Sequence, residues 1–365
     1  MTVLELPQRP RILVIVLRRL GDVLLTTALV RSLRHGLNAS AVDVLAFRGT
    51  EGILAGNPDI RSVITIATRP SWVESVDLAR RLWRGYDLAV STQAGDRPIL
   101  FAFLAGRRRI GLVPGQGSGA WWKRLVLHTA VNSDPDRHRI PELMRLTQAV
   151  GIAGQPELVC PRPESIEPLR LDRPYAVLHA NPMFRFRRWT QHGWRGLAAA
   201  LRERGLAVVA TGGPDPAERH YLDALWETVP NVARVDGQLS WQQLTALLHQ
   251  AAVYVGPDTS MTHLAAAAGC PTVALYGPAS PHRIGPWPVG GLAKMWQPAA
   301  DIQRRDHVWV VQNPLPCLPC ERLGCAGHLE SHSQCLDELP IAQVLTAVDQ
   351  ALAMRSPATA RLGTP

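Results

Sequence analysis

The sequence predicts an α/β protein with two domains, each built on a parallel β-sheet flanked by helices. In the first half of the chain, short apolar runs alternate with helical patterns, and this alternation is typical of βαβ units. A segment with five prolines and no sustained periodicity, residues 154–174, interrupts the pattern. The alternation then restarts, so we expect a second domain of similar size. A chain of 365 residues is long enough for two domains with separate cores.

Four segments follow from this organisation. Residues 1–155 form the N-terminal domain, and residues 156–174 form a proline-rich linker. Residues 175–340 form the C-terminal domain, which carries a cluster of cysteines at 317–335. Residues 341–365 form a last helix and a tail, and we expect the tail after residue 354 to be disordered.

Apolar runs place the strands, and the segments between them place the helices. The strands expected in the N-terminal domain are Ile12–Leu17, Ala41–Ala46, Val63–Ile66, Leu88–Thr92 and Arg109–Leu112. The strands expected in the C-terminal domain are Tyr175–His179, Ala207–Thr211, Ala252–Val255 and Thr272–Tyr276. The clearest helical patterns are Val23–Arg34, Ser71–Trp83, Gln191–Arg204, Asp215–Thr228, Trp241–Gln250, Met261–Ala268 and Ile341–Met354.

A glycine-rich stretch in the N-terminal domain, residues 111–119, predicts a mobile loop. It leads into Trp121, Trp122, Lys123 and Arg124, which would give this loop an aromatic and basic tip. The tip could contact a membrane surface or a lipid-linked acceptor. A tryptophan pair buried under the loop is an alternative that the sequence favours at least equally.

Charge and hydropathy limit the functions that the chain can have. No apolar run approaches the ~20 residues of a membrane span, and no signal-type stretch follows the N-terminus, so we expect a cytoplasmic protein. Residues 1–160 hold 21 Lys+Arg and 13 Asp+Glu, which gives +8 of the total formal charge of +9. This half therefore predicts an anionic partner, such as a phosphorylated substrate or an acidic membrane surface, or it merely improves solubility. Nucleic acid is not predicted, because the arginines are scattered and no familiar binding motif accompanies them.

The loops that follow strands are the places to look for chemistry, because ligands of open parallel sheets bind beyond the carboxyl ends of the strands. Two domains of this kind would present two such edges to one cleft. The first of these loops runs from Arg18 through Arg19 and Gly21 to Asp22. Asp22 is either a helix N-cap or a general base for an acceptor hydroxyl. The G-x-G-x-x-G pattern is absent after the first strand, which argues against an NAD or FAD enzyme.

Two further loops lie in the C-terminal domain. Asn181 follows the first strand there, and Arg185, Arg187 and Arg188 come shortly after it. Three arginines so close together would neutralise a diphosphate, although a solvated basic loop explains them equally well. The other loop, residues 256–263, begins a short helix that Gly269 would end. A helix start of this kind suits a phosphate, and the loop supplies Asp258, Thr259, Ser260, Met261 and His263 as ligand contacts.

Four cysteines, Cys317, Cys320, Cys325 and Cys335, cluster separately, whereas Cys160 and Cys270 are expected in the cores. The first pair has metal-ligand spacing, and His328 or His332 could replace one thiolate. The cluster could hold a structural Zn or Fe, or it could consist of reduced thiols. Disulfides are the least favoured alternative in a cytoplasmic protein.

Several of these segments resemble the heptosyltransferases of glycosyltransferase family 9. The matching segments are 11–15 (RILVI), 20–27 (LGDVLLTT), 187–189 (RRW), 256–263 (GPDTSMTH) and 276–286 (YGPASPHRIGP), so the resemblance covers roughly residues 11–350. It implies a GT-B architecture, in which two Rossmann-like domains have parallel sheets facing a central cleft. The acceptor would bind to the N-terminal domain and the nucleotide sugar to the C-terminal one.

The resemblance also implies roles for individual residues. Asp22 would be the catalytic base, with Arg18, Arg19 and Gly21 on the acceptor side. On the donor side, Arg187 would contact the phosphate, where the family usually has Lys. Leu239 would line the adenine pocket. The other donor contacts would be Asn181, Asp258, Thr259, Ser260, Met261 and His263. Two positions depart from the family pattern, because Ser260 replaces a usual Gly and Ala28 a usual Pro.

The implied reaction is an inverting transfer of heptose from ADP-L-glycero-D-manno-heptose to the inner core of lipopolysaccharide. It would need no cofactor and no metal, and this expectation also depends on the absence of an Asp-x-Asp metal site. The partners would be ADP-heptose, a lipid A-core acceptor carrying Kdo or heptose, and the acidic inner face of the cytoplasmic membrane. The alternatives are another nucleotide-sugar donor, a protein acceptor, or a catalytically silent paralogue that only binds nucleotide sugar.

Overall fold

A computed structural model describes residues 4–115, 120–166 and 173–354. The chain divides into two compact units, Met1–Arg162 and Pro163–Pro365. Residues 167–172 of the predicted linker and the predicted tail, 355–365, lie outside the described residues. No helix in the described ranges is long and apolar enough to cross a membrane.

The N-terminal unit contains a six-stranded sheet of order β3-β2-β1-β4-β5-β6, in which every neighbouring pair is parallel. Its strands are β1 (Arg11–Val16), β2 (Ala41–Phe47), β3 (Ser62–Ile66), β4 (Tyr86–Ser91), β5 (Gly106–Val113) and β6 (Thr129–Asn132). Its helices are α1 (Leu20–Gly36), α2 (Trp72–Leu82), α3 (Asp96–Ala105), α4 (Trp121–Val126) and α5 (Arg139–Gln148). A 3₁₀ turn, Glu51–Leu54, precedes β3.

Local sequence explains where several of these elements begin. β1 is a buried apolar strand in which only Arg11 is exposed, as an interior strand of a parallel sheet requires. α2 begins after Ser71, whose side chain accepts a hydrogen bond from the backbone N–H of Glu74, an N-cap interaction. α2 and α3 then bury one face each in a common core with β1.

The predicted glycine-rich loop is wrong in part. Gly111 belongs to β5, where it pairs with Ser91 of β4, and a Cβ at this position would lie 2.9 Å from the Ser91 Cβ. Residues 121–126, expected as a loop tip, form the helix α4. Trp122 packs inward, which makes a helix favourable here, while Trp121 remains 67% exposed. Only residues 116–119 of the predicted loop lie outside the described residues.

The C-terminal unit contains a seven-stranded sheet of order β12-β13-β11-β10-β7-β8-β9, parallel except for the β12–β13 pair. Its strands are β7 (Tyr175–His179), β8 (Ala207–Thr211), β9 (Val232–Arg234), β10 (Val253–Pro257), β11 (Thr272–Leu275), β12 (Ile302–Arg305) and β13 (Val308–Val311). Its helices are α6 (Gln191–Glu203), α7 (Pro216–Trp226), α8 (Trp241–Gln250), α9 (Ser260–Ala267), α10 (Pro281–Ile284), α11 (Gln334–Asp337) and α12 (Ile341–Ala353).

The sheet order places the functional loops of the C-terminal unit beside one another. β11, β10, β7, β8 and β9 are consecutive neighbours and run parallel, so the loops after them share one edge of the sheet. Gly269 ends the α9 region with a φ of +76°, a conformation that glycine adopts without strain. The helix between β10 and β11, α9, therefore ends before Gly269, as the sequence predicts.

Candidate active site

Asp22 lies at the carboxyl edge of the N-terminal sheet, in the first turn of α1. Arg19 occupies the N-cap position of this helix, so capping is not the role that the structure gives to Asp22. The Asp22 carboxylate is 24% exposed and has two cationic neighbours. Its Oδ1 is 3.3 Å from Nε of Arg139, and its Oδ2 is 3.6 Å from Nη1 of Arg18. An accessible carboxylate held between two guanidinium groups has the position that a general base needs.

Arg139 is a site residue that the sequence analysis missed. It is the first residue of α5, and His138 caps this helix by accepting a hydrogen bond from the Ile140 N–H through Nδ1. The Arg139 side chain is only 12% exposed, and within the described residues its Nη2 has no hydrogen-bond partner. Burial lowers the pKa of the guanidinium, and the Asp22 carboxylate opposes this shift. Arg139 therefore holds a buried positive charge beside the candidate base.

Asp258 and Arg187 form a tighter ion pair in the C-terminal unit. Nη1 of Arg187 lies 2.8 Å from Oδ2 of Asp258 and donates a hydrogen bond of 3.0 Å to the Asp258 backbone carbonyl. The Asp258 side chain is 5% exposed, and that of Arg187 is 24% exposed. The rings of Phe184 and Phe186 lie within cation–π distance of the guanidinium, at 6.0 and 5.7 Å. These contacts hold the Arg187 guanidinium next to the end of β10.

Two further side chains contact Asp258. The Tyr276 hydroxyl lies 3.4 Å from Oδ1 of Asp258 and donates to the Ile284 carbonyl at 2.9 Å. Burial, with the negative charge of Asp258, raises the pKa of Tyr276 well above its usual value. Tyr276 therefore stays a neutral donor. Nε2 of His263 is 3.9 Å from the same carboxylate oxygen.

The N-terminus of α9 adjoins this ion pair. Thr259 is the N-cap, and its side chain makes no capping hydrogen bond within the described residues. The first backbone N–H groups of the helix, at Ser260 and Met261, are thus available to an anion. The Thr262 hydroxyl donates a hydrogen bond to the Pro257 carbonyl and so stabilises the loop. Asp258, Thr259, Ser260, Met261 and His263 are therefore brought together as the sequence predicts.

The loops after β7, β8 and β9 extend this edge. Asn181 is 5% exposed and hydrogen-bonds to Glu218. Glu218, on α7, also accepts a hydrogen bond of 2.8 Å from the Gly213 N–H. Burial raises the pKa of Glu218. Leu239 is half-buried and directly precedes Ser240, the N-cap of α8. The sequence analysis missed Glu218, although Gly212-Gly213 after a strand was a signal that could have found it.

His179, the last residue of β7, is a buried titratable group at the same edge. Its Nδ1 lies 3.0 Å from the Thr211 hydroxyl. Burial lowers the pKa of His179 to about 4, against the opposing effect of the hydrogen bond. The imidazole is therefore neutral near pH 7.

The four clustered cysteines differ in their exposure. Among the described residues, no three His, Cys, Asp or Glu side chains are placed to hold a metal ion. Cys317 and Cys325 are exposed, whereas Cys335 is buried. Burial and the neighbouring cysteines raise the pKa of the Cys335 thiol to about 12. A structural Zn or Fe at Cys317, Cys320, Cys325 and Cys335 stays a prediction, and we derive no step through it.

The chain does contain one Asp-x-Asp sequence, so the expectation that it has none is wrong. Asp134-Pro135-Asp136 has this spacing, in the turn before α5. Asp134 accepts a hydrogen bond from the Asp136 N–H at 3.1 Å and pairs with Arg137 at 3.2 Å. These contacts give Asp134 a structural role in the turn. Independence from metal therefore stays a prediction that this triplet neither supports nor opposes.

Comparison with known proteins places the chain in a family. The model of glycosyltransferase family 9 (heptosyltransferase) matches residues 76–294, which is more than half of the chain. The chain belongs to glycosyltransferase family 9. It is 23% identical over 314 residues to lipopolysaccharide heptosyltransferase 3 of Escherichia coli, covering 80% of this chain and 92% of that protein. It is 28% identical over 350 residues to lipopolysaccharide heptosyltransferase 1 of Pseudomonas aeruginosa, covering 86% and 87%.

A solved structure shows the same fold in this family. ADP-heptose LPS heptosyltransferase II of E. coli superposes with a TM-score of 0.72 at 19% identity, covering 94% of this chain and 99% of that one. The predicted fold class is confirmed, with two Rossmann-like domains of the GT-B type. As a member of this family, the protein is a glycosyltransferase.

Proposed function

We propose that this glycosyltransferase moves heptose from ADP-L-glycero-D-manno-heptose to the inner core of lipopolysaccharide, with inversion and without a metal. The observation that carries the proposal is the Arg187–Asp258 pair beside the N-terminus of α9. A guanidinium that Asp258 holds in position, together with the first backbone N–H groups of a helix at the same sheet edge, suits a nucleotide diphosphate. The names of the relatives, lipopolysaccharide heptosyltransferases and an ADP-heptose LPS heptosyltransferase, support this donor and acceptor.

On the donor side, the diphosphate binds Arg187 and the backbone N–H groups at the start of α9. Asp258 accepts hydrogen bonds from hydroxyls of the heptose. His263 also forms a hydrogen bond with a heptose hydroxyl. Asn181 and Leu239 contact the nucleoside from the neighbouring loops. The Tyr276 hydroxyl lies 3.4 Å from the carboxylate oxygen of Asp258 that Arg187 does not contact.

On the acceptor side, Asp22 removes the proton from the attacking hydroxyl. The acceptor oxygen forms a bond to the anomeric carbon as the bond from that carbon to the ADP phosphate oxygen breaks, so the configuration inverts. Negative charge accumulates on the leaving ADP, and Arg187 with the α9 N-terminus stabilises it. One such well-placed donor commonly contributes about 3 kcal/mol. Arg139 and Arg18 orient Asp22 and give the acceptor side a positive field that suits phosphorylated or carboxylated sugars.

A different nucleotide sugar is the second candidate, and Ser260 is the observation that favours it. Ser260 is the first residue of α9, so its side chain stands where the diphosphate would approach. Either donor places the enzyme in the cytoplasm, at the inner face of the cytoplasmic membrane where a lipid A-core acceptor is anchored.

A two-step experiment tests the proposal. A thermal-shift panel of ADP, UDP and GDP is expected to show stabilisation by ADP alone, and a preference for UDP would overturn the donor. Transfer from ADP-heptose to defined truncated core acceptors then identifies the acceptor. The Asp22→Asn variant serves as the control, because it should retain the ADP shift and lose the transfer.

A further inference from the structure

The exposed large apolar side chains of the N-terminal unit lie on one row of helices. Within the described residues of this unit there are six, with exposures from 49% to 82%: Trp72, Val73, Trp83, Leu100, Trp121 and Leu125. All six belong to α2, α3 or α4, or directly follow α2. α2 contacts α3, and α3 contacts α4. We refer to the outer side of these three helices, residues 69–84, 96–105 and 120–126, as the α2–α4 surface.

α2 presents a tryptophan at each of its ends. Trp72 is its first residue and Trp83 directly follows its last, so they are 82% and 60% exposed about three turns apart. Eleven residues bring the helix back to nearly the same face and span about 16 Å along its axis. Leu78 and Leu82 are buried in the sheet core and fix the inner face of the helix. The two tryptophans therefore lie on an outer face parallel to the helix axis.

α4 divides its apolar residues between two sides. Trp122 packs against a small core that contains Ile99 and Val113. Trp121 and Leu125 are 67% and 74% exposed and are spaced i, i+4, so they share a second, exposed side. Folding does not require this exposure, because the inner side already anchors the helix. Apolar side chains gathered on one surface mark an interaction site.

Positive charge accompanies these side chains. Among the described residues of the α2–α4 surface, six arginines and only two carboxylates, Asp77 and Asp96, are exposed. The arginines are Arg69, Arg80, Arg81, Arg84, Arg97 and Arg124. Tryptophan with a surplus of arginine is the composition that binds the headgroup region of an anionic bilayer, where indole rings lie at the interface and guanidinium groups reach phosphates.

The surface adjoins the edge that carries Asp22. α1, α2, α3 and α4 each follow a strand of one parallel sheet, so all four helices begin at its carboxyl edge. Trp72 and Trp121 are the first residues of their helices and therefore lie near this edge. A bilayer bound to the α2–α4 surface would bring lipid-anchored sugars close to the candidate base.

We propose that the α2–α4 surface docks the enzyme on an anionic phospholipid bilayer, with Trp72, Trp83 and Trp121 in the headgroup region. The inference rests on the proposed function in one respect, because a lipid-anchored acceptor gives the docking its purpose. The occupant is the bilayer itself, since six arginines against two carboxylates complement its negative surface charge.

Vesicle co-sedimentation of the full chain tests the surface. We expect binding to vesicles of phosphatidylcholine with 30 mole per cent phosphatidylglycerol to exceed binding to phosphatidylcholine alone, and to weaken as salt rises. The double variant Trp72→Ala/Trp121→Ala should lower the partition coefficient by about tenfold. Val289→Ala/Leu329→Ala, which alters exposed apolar residues of the C-terminal unit, is the matched control and should bind as the wild type does. Circular dichroism and melting temperature confirm that each variant is folded.

Three outcomes would overturn the docking surface. The first is wild-type protein that does not bind the anionic vesicles. The second is a double variant that binds them as strongly as the wild type does. Self-association of the wild type that the double variant loses would assign the surface to a second copy of the chain. Transfer activity on a de-acylated, water-soluble core acceptor separates the test of the docking surface from the test of the proposed function. The docking variants should retain this activity, because the soluble acceptor requires no bilayer. Absent transfer with intact vesicle binding would overturn the proposed function and leave the surface standing.

Discussion

Asp22 and Asp258 each lie just after an interior strand of their own sheet, and their surroundings differ. Each pairs with arginine. Asp258 is 5% exposed with its arginine at 2.8 Å, whereas Asp22 is 24% exposed with its two arginines at 3.3 and 3.6 Å. Tyr276 also contacts Asp258. One aspartate is enclosed by its partners, and the other is left accessible.

The comparison shows that an aspartate paired with arginine can serve two different functions, depending on how far it is buried. A tightly paired and buried carboxylate is suited to positioning, because its charge is already neutralised by Arg187. An accessible carboxylate with longer ion pairs can still receive a proton from a substrate hydroxyl. This difference supports the proposal of proton transfer at the Asp22 edge and donor binding at the Asp258 edge. Variants of Asp22 and of Asp258 should therefore have different effects on transfer and on donor binding.

Replacing the base should have the largest effect. Asp22→Asn keeps the shape of the side chain and removes its basicity, so we expect kcat/KM to fall by about 10²–10⁴-fold. The substitution also leaves Arg139, whose side chain is 12% exposed, without its counter-charge, so the melting temperature should fall and circular dichroism must confirm that the variant is folded. Transfer near the wild-type rate in a folded variant would remove Asp22 from the mechanism.

Opening the Asp258–Arg187 pair should instead affect stability and donor binding together. Asp258→Asn leaves Arg187 without its buried counter-charge, and we expect about 3 kcal/mol lower free energy of unfolding. A double-mutant cycle with Arg187→Met, followed by urea denaturation, measures the coupling between them. Additive losses would show that the pair does not act as a unit.

His179 predicts a pH effect that belongs to the C-terminal unit alone. Its pKa is about 4 in the folded protein, against about 6.5 when unfolded, so the unfolded state binds more protons between these values. Stability should therefore fall as pH decreases from 6.5 to 4, by about 2–3 kcal/mol from this residue. His179→Asn should lose this component, whereas the exposed control His192→Asn should keep it. Parallel pH profiles for all three proteins would contradict the assignment.

The two arginines around Asp22 should give the smallest and most informative difference. Arg139→Met removes a buried charge beside Asp22, and we expect about tenfold lower kcat/KM. Arg18→Ala removes a 53% exposed partner, for which less than about 1 kcal/mol is typical. Equal effects of both variants would show that the two arginines do not divide the work in this way.

Local signals were sufficient for much of the fold. Strands Tyr175–His179 and Ala207–Thr211 and helix Trp241–Gln250 coincide with their predicted bounds, because periodicity and capping residues lie within each segment. α3 was missed, since its sequence DRPILFAFLA is apolar on nearly all sides and gives no clear helical period. β12 was missed because its sequence, IQRR, is mostly polar, whereas β13, VWVV, is an apolar run that could have been recognised.

The donor loop could be predicted because its residues are consecutive in the chain. Asp258 to His263 lie on one strand end and one helix start, so sequence spacing alone brings them together. Arg139 could not be found in this way, because only the tertiary contact of α5 with α1 brings it to Asp22. The same holds for the α2–α4 surface, where helical burial separates Trp121 from its neighbour Trp122.

The division of labour between the two edges can be measured directly by calorimetric titration of ADP into two variants. We expect Asp22→Asn to bind ADP within about twofold of the wild-type Kd, because in the proposed function Asp22 acts on the acceptor and not on the donor. Arg187→Met should bind ADP at least about tenfold more weakly, because it loses a charge-assisted contact to the diphosphate. The account would be contradicted by weakened ADP binding in Asp22→Asn together with unchanged binding in Arg187→Met.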